Sequence, residues 1–218
     1  MPKLSAEQQE SRSSRILDAA ELCFAKQGFH RTSMQDICRQ AGVSAGALYL
    51  YFDSKEALIE GITARNRDEV LQSFSRLAEA SDFQSGLAML LQECVLDKPE
   101  HKSRLWLDIG AEATRNARVH ETIQQCDALV LDALAAMLEK AKANGVIDPV
   151  LPLDEIVMAM AAMADGLFWR SAVIPGGDTA MIGRTMLTMV SAVLRPVHGA
   201  TAAKQDINKI TRQPETAE

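Results

Sequence analysis

Apolar residues recur along most of this chain with the 3.6-residue period of helices that bury one face. Ile16, Ala19, Ala20, Cys23 and Phe24 occupy positions i, i+3, i+4, i+7 and i+8, and Gly28, after Lys26 and Gln27, ends that first helix. Ser33, three residues before Asp36, predicts the start of a short second helix that stops at Gly42. Ser44 caps a third, read over AGALYLYF, and Asp53 with Ser54 caps a fourth running from about Lys55 to Ala78. Later helices lengthen. Asp82 opens one ending near Asp97, and Pro99 fits the first turn of the next. Asn116 starts a long helix ending at Asn144–Gly145, another covers Leu153 to Ser171, and Asp178 caps a last one to about Leu194. Pro175 to Thr179 reads as a turn, and residues 196–218, polar and aperiodic after Pro196, read as a mobile tail.

The expected fold is therefore all-α, with about nine helices that are short near the N-terminus and long beyond it. Composition agrees. The hydrophobic set makes up 47% of 218 residues, enough for a buried core, while aromatics at 5% and only 12 Gly with 7 Pro disfavour a β-sandwich or barrel. The net charge of −6 excludes a polycation that coats nucleic acid indiscriminately. Residues 1–55 hold seven Lys or Arg against six Asp or Glu, a balance of +1, which leaves −7 for the remainder. Any nucleic-acid binding then depends on where the charges point. The N-terminal stretch MPKLSAEQQESRSS lacks the apolar core of a signal peptide, and no run of about 18 apolar residues is visible, so a cytoplasmic protein without a membrane partner is expected. Cys23, Cys38, Cys94 and Cys126 show neither CxxC spacing nor a close His, so no metal site is expected. They read as reduced apolar side chains, with a redox-sensing thiol as the alternative.

Residues 33–52, SMQDICRQAGVSAGALYLYF, read as helix, tight turn, helix. Ile37 and Cys38 face inward, Gly42 lets the backbone turn, Val43 fills the angle between the helices, and Leu48 anchors the second from behind. Its outward face then shows Ser44, Ala45, Ala47, Tyr49 and Tyr51. This is a helix-turn-helix, whose second helix enters the major groove of DNA. Gly42 to Gly46 also matches the G-x-S-x-G elbow of α/β-hydrolases, but that elbow needs a strand before the serine, and here a helix precedes it.

The chain resembles the TetR family of bacterial transcriptional regulators over about residues 10–70. The resemblance rests on Phe24 and Gly28, Thr32–Ser33, the AGVS turn at 41–44, and G-x-L-Y-x-Y-F-x-S-K-E-x-L at 46–58. It implies a three-helix DNA-binding domain over 10–70, with the helix-turn-helix at 33–52, and an effector-binding and dimerisation domain over 71–195. It also implies roles. Thr32 and Ser33 sit at a helix N-terminus that suits a phosphate, with pure capping as the alternative. Tyr49 and Tyr51 offer hydroxyls to phosphates, the Tyr49 ring can lie on thymine methyls, and Lys55 supplies a point charge. Packing of Tyr49 and plain solvation of Lys55 stay open. Ser44, Ala45, Gly46 and Ala47 form the leading edge. Ala45 offers only a methyl group where many members carry a larger or charged residue, so base reading falls to Ser44, Gln40, Arg39 or apolar contacts.

Six of the ten Met lie between 158 and 189. Ile156 and Met160 on one helix, and Ile182, Met186, Met189 and Val193 on the last, form wide apolar surfaces; the resemblance implies that these helices pair with their symmetry mates in a homodimer. Filling of a monomer core is the alternative. The run IVMAMAAMADGLFW holds one ionisable group, Asp165, expected at a ligand pocket or the dimer seam unless it is a hydrogen-bonded or solvated structural carboxylate. Trp106, Met163, Phe168 and Trp169 are candidate pocket walls. Asp108 and Glu112, flanked by Arg104 and Arg115, read as an ion-pair ladder on a solvated face. Segments 105–116 and 163–170 loosely resemble the effector domain of choline-responsive TetR-family repressors, which implies a lipophilic or cationic small molecule. The function so implied is a homodimeric repressor, released from a palindromic double-stranded operator by a small molecule. It needs no cofactor and is not an enzyme. A helical adaptor without DNA binding, and an all-α enzyme, are the rival readings.

Overall fold

The computed structural model describes residues 6–80, 82–174 and 178–197. The turn expected at Pro175–Gly177 and the tail beyond Val197 lie outside the described residues. Nine α-helices occupy the described chain: α1 (Ala6–Gln27), α2 (Met34–Ala41), α3 (Ala45–Tyr49), α4 (Lys55–Glu79), α5 (Phe83–Leu91), α6 (Glu100–Ala113), α7 (Ala117–Ala143), α8 (Leu153–Val173) and α9 (Thr179–Leu194). The all-α expectation is met, and the helix order matches the reading of the sequence.

Three local departures from the expected helices are seen. The helix expected over AGALYLYF ends at Tyr49, because the Tyr51 and Phe52 amides both turn back to the Leu48 carbonyl. The helix expected to run to about Asp97 is α-helical only to Leu91 and continues as a π-helical turn, Gln92–Leu96. Pro99 precedes α6 as its N-cap, where its missing N–H costs nothing.

The chain forms two compact units. The first comprises residues up to Arg67 together with Pro99–Cys126, so α6 and the start of α7 pack with the helix-turn-helix rather than with the later helices. Its core joins Ile16, Phe24 and Phe29 to Ile37, Leu48, Leu58 and Ile62, and to Leu105, Ile109 and Val119. Two glycines shape it. Gly42, at φ +65°, ends α2 in the left-handed region that a Cβ disfavours. A Cβ at Gly61 would stand 2.8 Å from the Leu17 side chain and 3.0 Å from that of Phe52, so a larger residue here would have to displace those side chains.

The second unit, residues 68–98 and the chain from Asp127 onward, has a core built from Phe74, Leu77, Leu87, Leu134, Leu138, Ile147, Ile156, Leu187 and Leu194. The loop after α7 pairs with the end of α9. The Val150 amide donates to the Val193 carbonyl at 3.0 Å and the Val197 amide to that of Val146 at 2.8 Å. The Arg195 guanidinium reaches Asp148 at 2.6 Å.

Phe24 is 1% exposed and touches another buried ring, Phe29, at 5.6 Å between centroids. Phe24→Ala should therefore destabilise the first unit by about 3–5 kcal/mol, read as a lowered midpoint of urea unfolding.

Candidate nucleic-acid interface

The short helices α2 and α3 are set by their ends. The Ser33 hydroxyl accepts from the Asp36 amide at 3.1 Å, and the Ser33 amide donates to the Asp36 carboxylate at 2.9 Å, which completes a reciprocal capping box. At the far end, Arg15 of α1 donates to the Ala41 carbonyl at 2.9 Å. The Ser44 hydroxyl accepts from the Ala47 amide at 3.2 Å and opens α3. Leu48, fully buried, fastens α3 to the core. This leaves Ser44, Ala45, Gly46, Tyr49 and Leu50 exposed and Ala47 half-exposed on a helix with no charged residue. Arg39 and Gln40 of α2 are exposed as well, and the Arg39 guanidinium pairs with Asp36.

Several expected DNA contacts have other duties. Thr32 is 2% exposed, and its hydroxyl donates to the Gly28 carbonyl at 2.8 Å, shared with that of Cys23 at 3.2 Å. It stitches the α1–α2 connection and presents no hydroxyl outward. The Ser33 hydroxyl and amide both point to the Asp36 carboxylate, so the chain's own anion already occupies that side of the α2 N-terminus. Tyr51 is half-buried against the core. The Lys55 ammonium donates to the Phe29 carbonyl at 2.6 Å and lies 4.3 Å from the centroid of the Phe29 ring, so it clamps the start of α4 to the end of α1. Thr32 reaches back 9 residues to Cys23 and Lys55 reaches 26 residues to Phe29, which is why spacing alone did not disclose these two ties.

Helix α6 is tied into the same unit through Glu112, only 3% exposed. The solvated ladder expected there is corrected. His30 Nε2 lies 2.9 Å from one Glu112 oxygen and Arg115 Nε 3.4 Å from the same oxygen, while Arg104 pairs with Glu100 instead of Asp108. Burial raises the pKa of Asp108. Asn116 donates to Glu112 at 3.3 Å and to Glu56 of α4 at 3.2 Å, and Arg118 donates to Glu60 at 2.6 Å. A second tie joins α1 to α4 and α6: Arg65 bonds Glu21 at 2.5 Å and Asp18 at 2.7 Å, with Lys102 at 3.7 Å from Glu21. Burial, and then the nearby Asp36 charge, raises the Cys23 thiol pKa; burial raises that of Cys94. Both therefore carry less of the reactive thiolate than a free cysteine.

A chain with this geometry matches two family models. The one described as bacterial regulatory proteins, tetR family, covers residues 16–62, and the one described as BetI-type transcriptional repressor, C-terminal, covers residues 83–195. The regulator UidR of Escherichia coli K12 is 30% identical over 149 residues, 68% of this chain and 75% of its own. This chain belongs to the TetR family. Among solved structures, GusR of Salmonella enterica superposes with a TM-score of 0.72 at 30% identity, over 89% of this chain and all of its own. A regulator from Saccharomonospora viridis, solved in complex with choline, superposes at 0.68 with 22% identity, over 85% of this chain and 97% of its own. The TetR-family chain is thus a helix-turn-helix, DNA-binding transcriptional regulator and not an enzyme.

In this regulator the candidate effector residues are divided between the two units. Trp106 packs against the core of the first unit, whereas Met163, Asp165, Phe168 and Trp169 lie on α8 of the second. Asp165 sits on an exposed face, yet its apolar surroundings, and then Asp127 on α7, raise its pKa. Of the expected dimer residues, Ile156 needs correcting. Ile156 is 3% exposed and belongs to the monomer core, with Met160 and Val193 packed on it. Ile182 and Met186 are half-buried, and Met189 alone of the six is exposed. The exposed apolar side chains of these helices, among the described residues, include Met158, Ala162, Trp169 and Val173 on α8, with Met181 and Met189 on α9. Helix α8 is also long and apolar enough, by length and composition, to cross a membrane.

The Asp36 carboxyl is held below its ordinary range first by the Ser33 hydroxyl and amide, with Arg39 adding to the effect. A depressed native pKa gives stability that is present above the unfolded value, about 4, and is lost as pH falls towards the native one. Asp36→Asn should lower Tm at pH 7, and the gap to wild type should close as the pH is taken below about 4 in thermal melts.

Proposed function

We propose that this regulator is a homodimeric repressor that holds a palindromic double-stranded operator and releases it when a small molecule binds. In this reading residues 10–70 read DNA, residues 71–195 bind the effector and dimerise, and the protein works in the cytoplasm. The observation that carries the DNA-reading part is α3, exposed along Ser44, Ala45, Gly46 and Tyr49 while Leu48 ties it to the core. A helix so held can enter the major groove, and two copies would span half-sites about 34–36 Å apart. Ser44, Tyr49, Arg39 and Gln40 are the exposed polar groups available to it; Thr32 and Lys55 act by shaping the unit. Electrophoretic mobility shift against the DNA flanking its own gene tests this. Saturable, salt-sensitive binding is expected, and Tyr49→Ala should weaken it at least tenfold, about 1.4 kcal/mol. Absence of binding to flanking and to selected duplexes would favour the adaptor reading.

The exposed apolar residues of α8 and α9 support dimerisation, because Met158, Trp169, Met181 and Met189 stand uncovered among the described residues, and a partner that covers them removes apolar surface from water. Met158→Glu combined with Trp169→Glu should shift sedimentation from dimer to monomer and lower operator affinity.

The effector is read as lipophilic or cationic. A carboxylate with a raised pKa among apolar side chains, Asp165, suits a cation that restores its charge, and the choline-bound neighbour lends support. Met163, Phe168 and Trp169 are the accompanying apolar groups. Release by a hundredfold requires the effector to favour the non-binding arrangement by roughly 2.7 kcal/mol.

A further inference from the structure

Leu50 is 80% exposed, the most exposed of the large hydrophobic side chains among the described residues. It caps the C-terminus of α3, next to Tyr49, which is 54% exposed. An isoleucine or leucine left in water is common on protein surfaces and carries no message by itself. Here the surroundings give it one. From Ser44 to Phe52 there is no Arg, Lys, Asn, Gln, Asp or Glu, the residue types that read base edges by paired hydrogen bonds. Beside the Ser44 hydroxyl, the surface that α3 does offer is made of methyl groups at Ala45 and Ala47, the open backbone of Gly46, the ring of Tyr49 and the isobutyl group of Leu50. The apolar feature of the major groove that such a surface fits is the C5-methyl of thymine.

We infer that Leu50 is a specificity-determining residue that selects operator positions by burying thymine methyl groups. The inference rests on the reading of α3 as the groove-entering helix and adds what that helix recognises. Discrimination then comes from apolar burial rather than from bidentate hydrogen bonds. Each methyl is worth about fourfold in affinity, the fold-change that corresponds to burial of one methylene-sized group. Leu50 makes no packing contact that folding requires at 80% exposure, so its replacement leaves the unit intact.

The test uses the full-length chain and a duplex obtained by selection from random sequence, with affinity read by fluorescence anisotropy. Each thymine is replaced singly by deoxyuridine, which removes the methyl group and keeps every hydrogen-bonding edge. At one or two positions per half-site the wild type should lose about fourfold. Leu50→Ala should bind the parent duplex correspondingly more weakly, with an unchanged salt slope, and should be indifferent to deoxyuridine at those positions. Wild-type binding that ignores deoxyuridine everywhere overturns the proposal. So does a deoxyuridine penalty that Leu50→Ala retains, since the methyl would then be read by another residue. Failure of the wild type to select any duplex defeats the groove-entering reading of α3 itself, and is distinguished from the other two outcomes by the absence of a parent complex.

Discussion

A helix of five residues cannot stabilise itself. Fixing its first turn costs more than its few internal hydrogen bonds return, so its geometry must come from outside. In this chain the outside constraint on α3 is the burial of Leu48, with Ser44 closing one end and the Leu48 carbonyl gathering the amides of Tyr51 and Phe52 at the other. One apolar anchor at the centre of a short segment leaves its other faces free. That is why Tyr49 and Leu50 can be exposed without the segment unravelling. The orientation of everything that α3 presents depends on this contact and on the two neighbours that locate the core beneath it, Ile37 and Ile16.

The same unit is held from its rim by charge. Lys55 clasps the end of α1, Arg65 and Lys102 converge on Glu21, and Glu112 takes His30, Arg115 and Asn116. Isolated surface pairs contribute little, but Glu21 and Glu112 are buried acceptors, and stripping a partner from a buried carboxylate costs far more than the pair contributes when intact. Such contacts favour discrete arrangements over gradual deformation. The corner between α6 and α7, through Glu112, Asn116 and Arg118, grips both the loop before α2 and the first turns of α4. The operator release proposed above would need an element of that kind, one that is either seated or released.

The sequence disclosed what is local and withheld what is long-range. Ser33 and Asp36, Gly42, Ser44 and Asp178 announce their helix ends because a cap involves residues three or four positions apart. The order and approximate bounds of the helices followed from those signals. Thr32, Lys55 and Glu112 looked like surface chemistry, and each turned out to be a structural tie, since the fold brings it a partner from another segment of the chain. Periodicity also could not tell which of two apolar faces on α8 and α9 a monomer keeps for itself. Ile156 and Met158 differ by two positions, 200° around a helix, and both satisfy an apolar pattern. The core claimed the first and left the second exposed. Leu50 escaped notice for a different reason: the helix was expected to continue to Phe52, and it stops at Tyr49, just before Leu50.

That ambiguity explains why α8 meets a membrane-length criterion in a DNA-binding regulator. A helix that is apolar all round either spans a bilayer or is covered on both sides by protein. Helix α8 presents Ile156, Val157 and Leu167 to its own core and Met158, Ala162 and Trp169 outward, so apolar residues lie on both its faces. Asp165 stands on the outward side, four residues before Trp169, and a carboxylate at mid-helix is poorly suited to hydrocarbon. Its apolar neighbours and Asp127 already penalise the charged form in the single chain. Further cover by protein would raise that penalty unless a cation or a hydrogen-bond donor arrived with it. Whatever covers this face must therefore leave Asp165 wet or bring it a partner, which limits both how two copies can pack here and which small molecules can bind beside them.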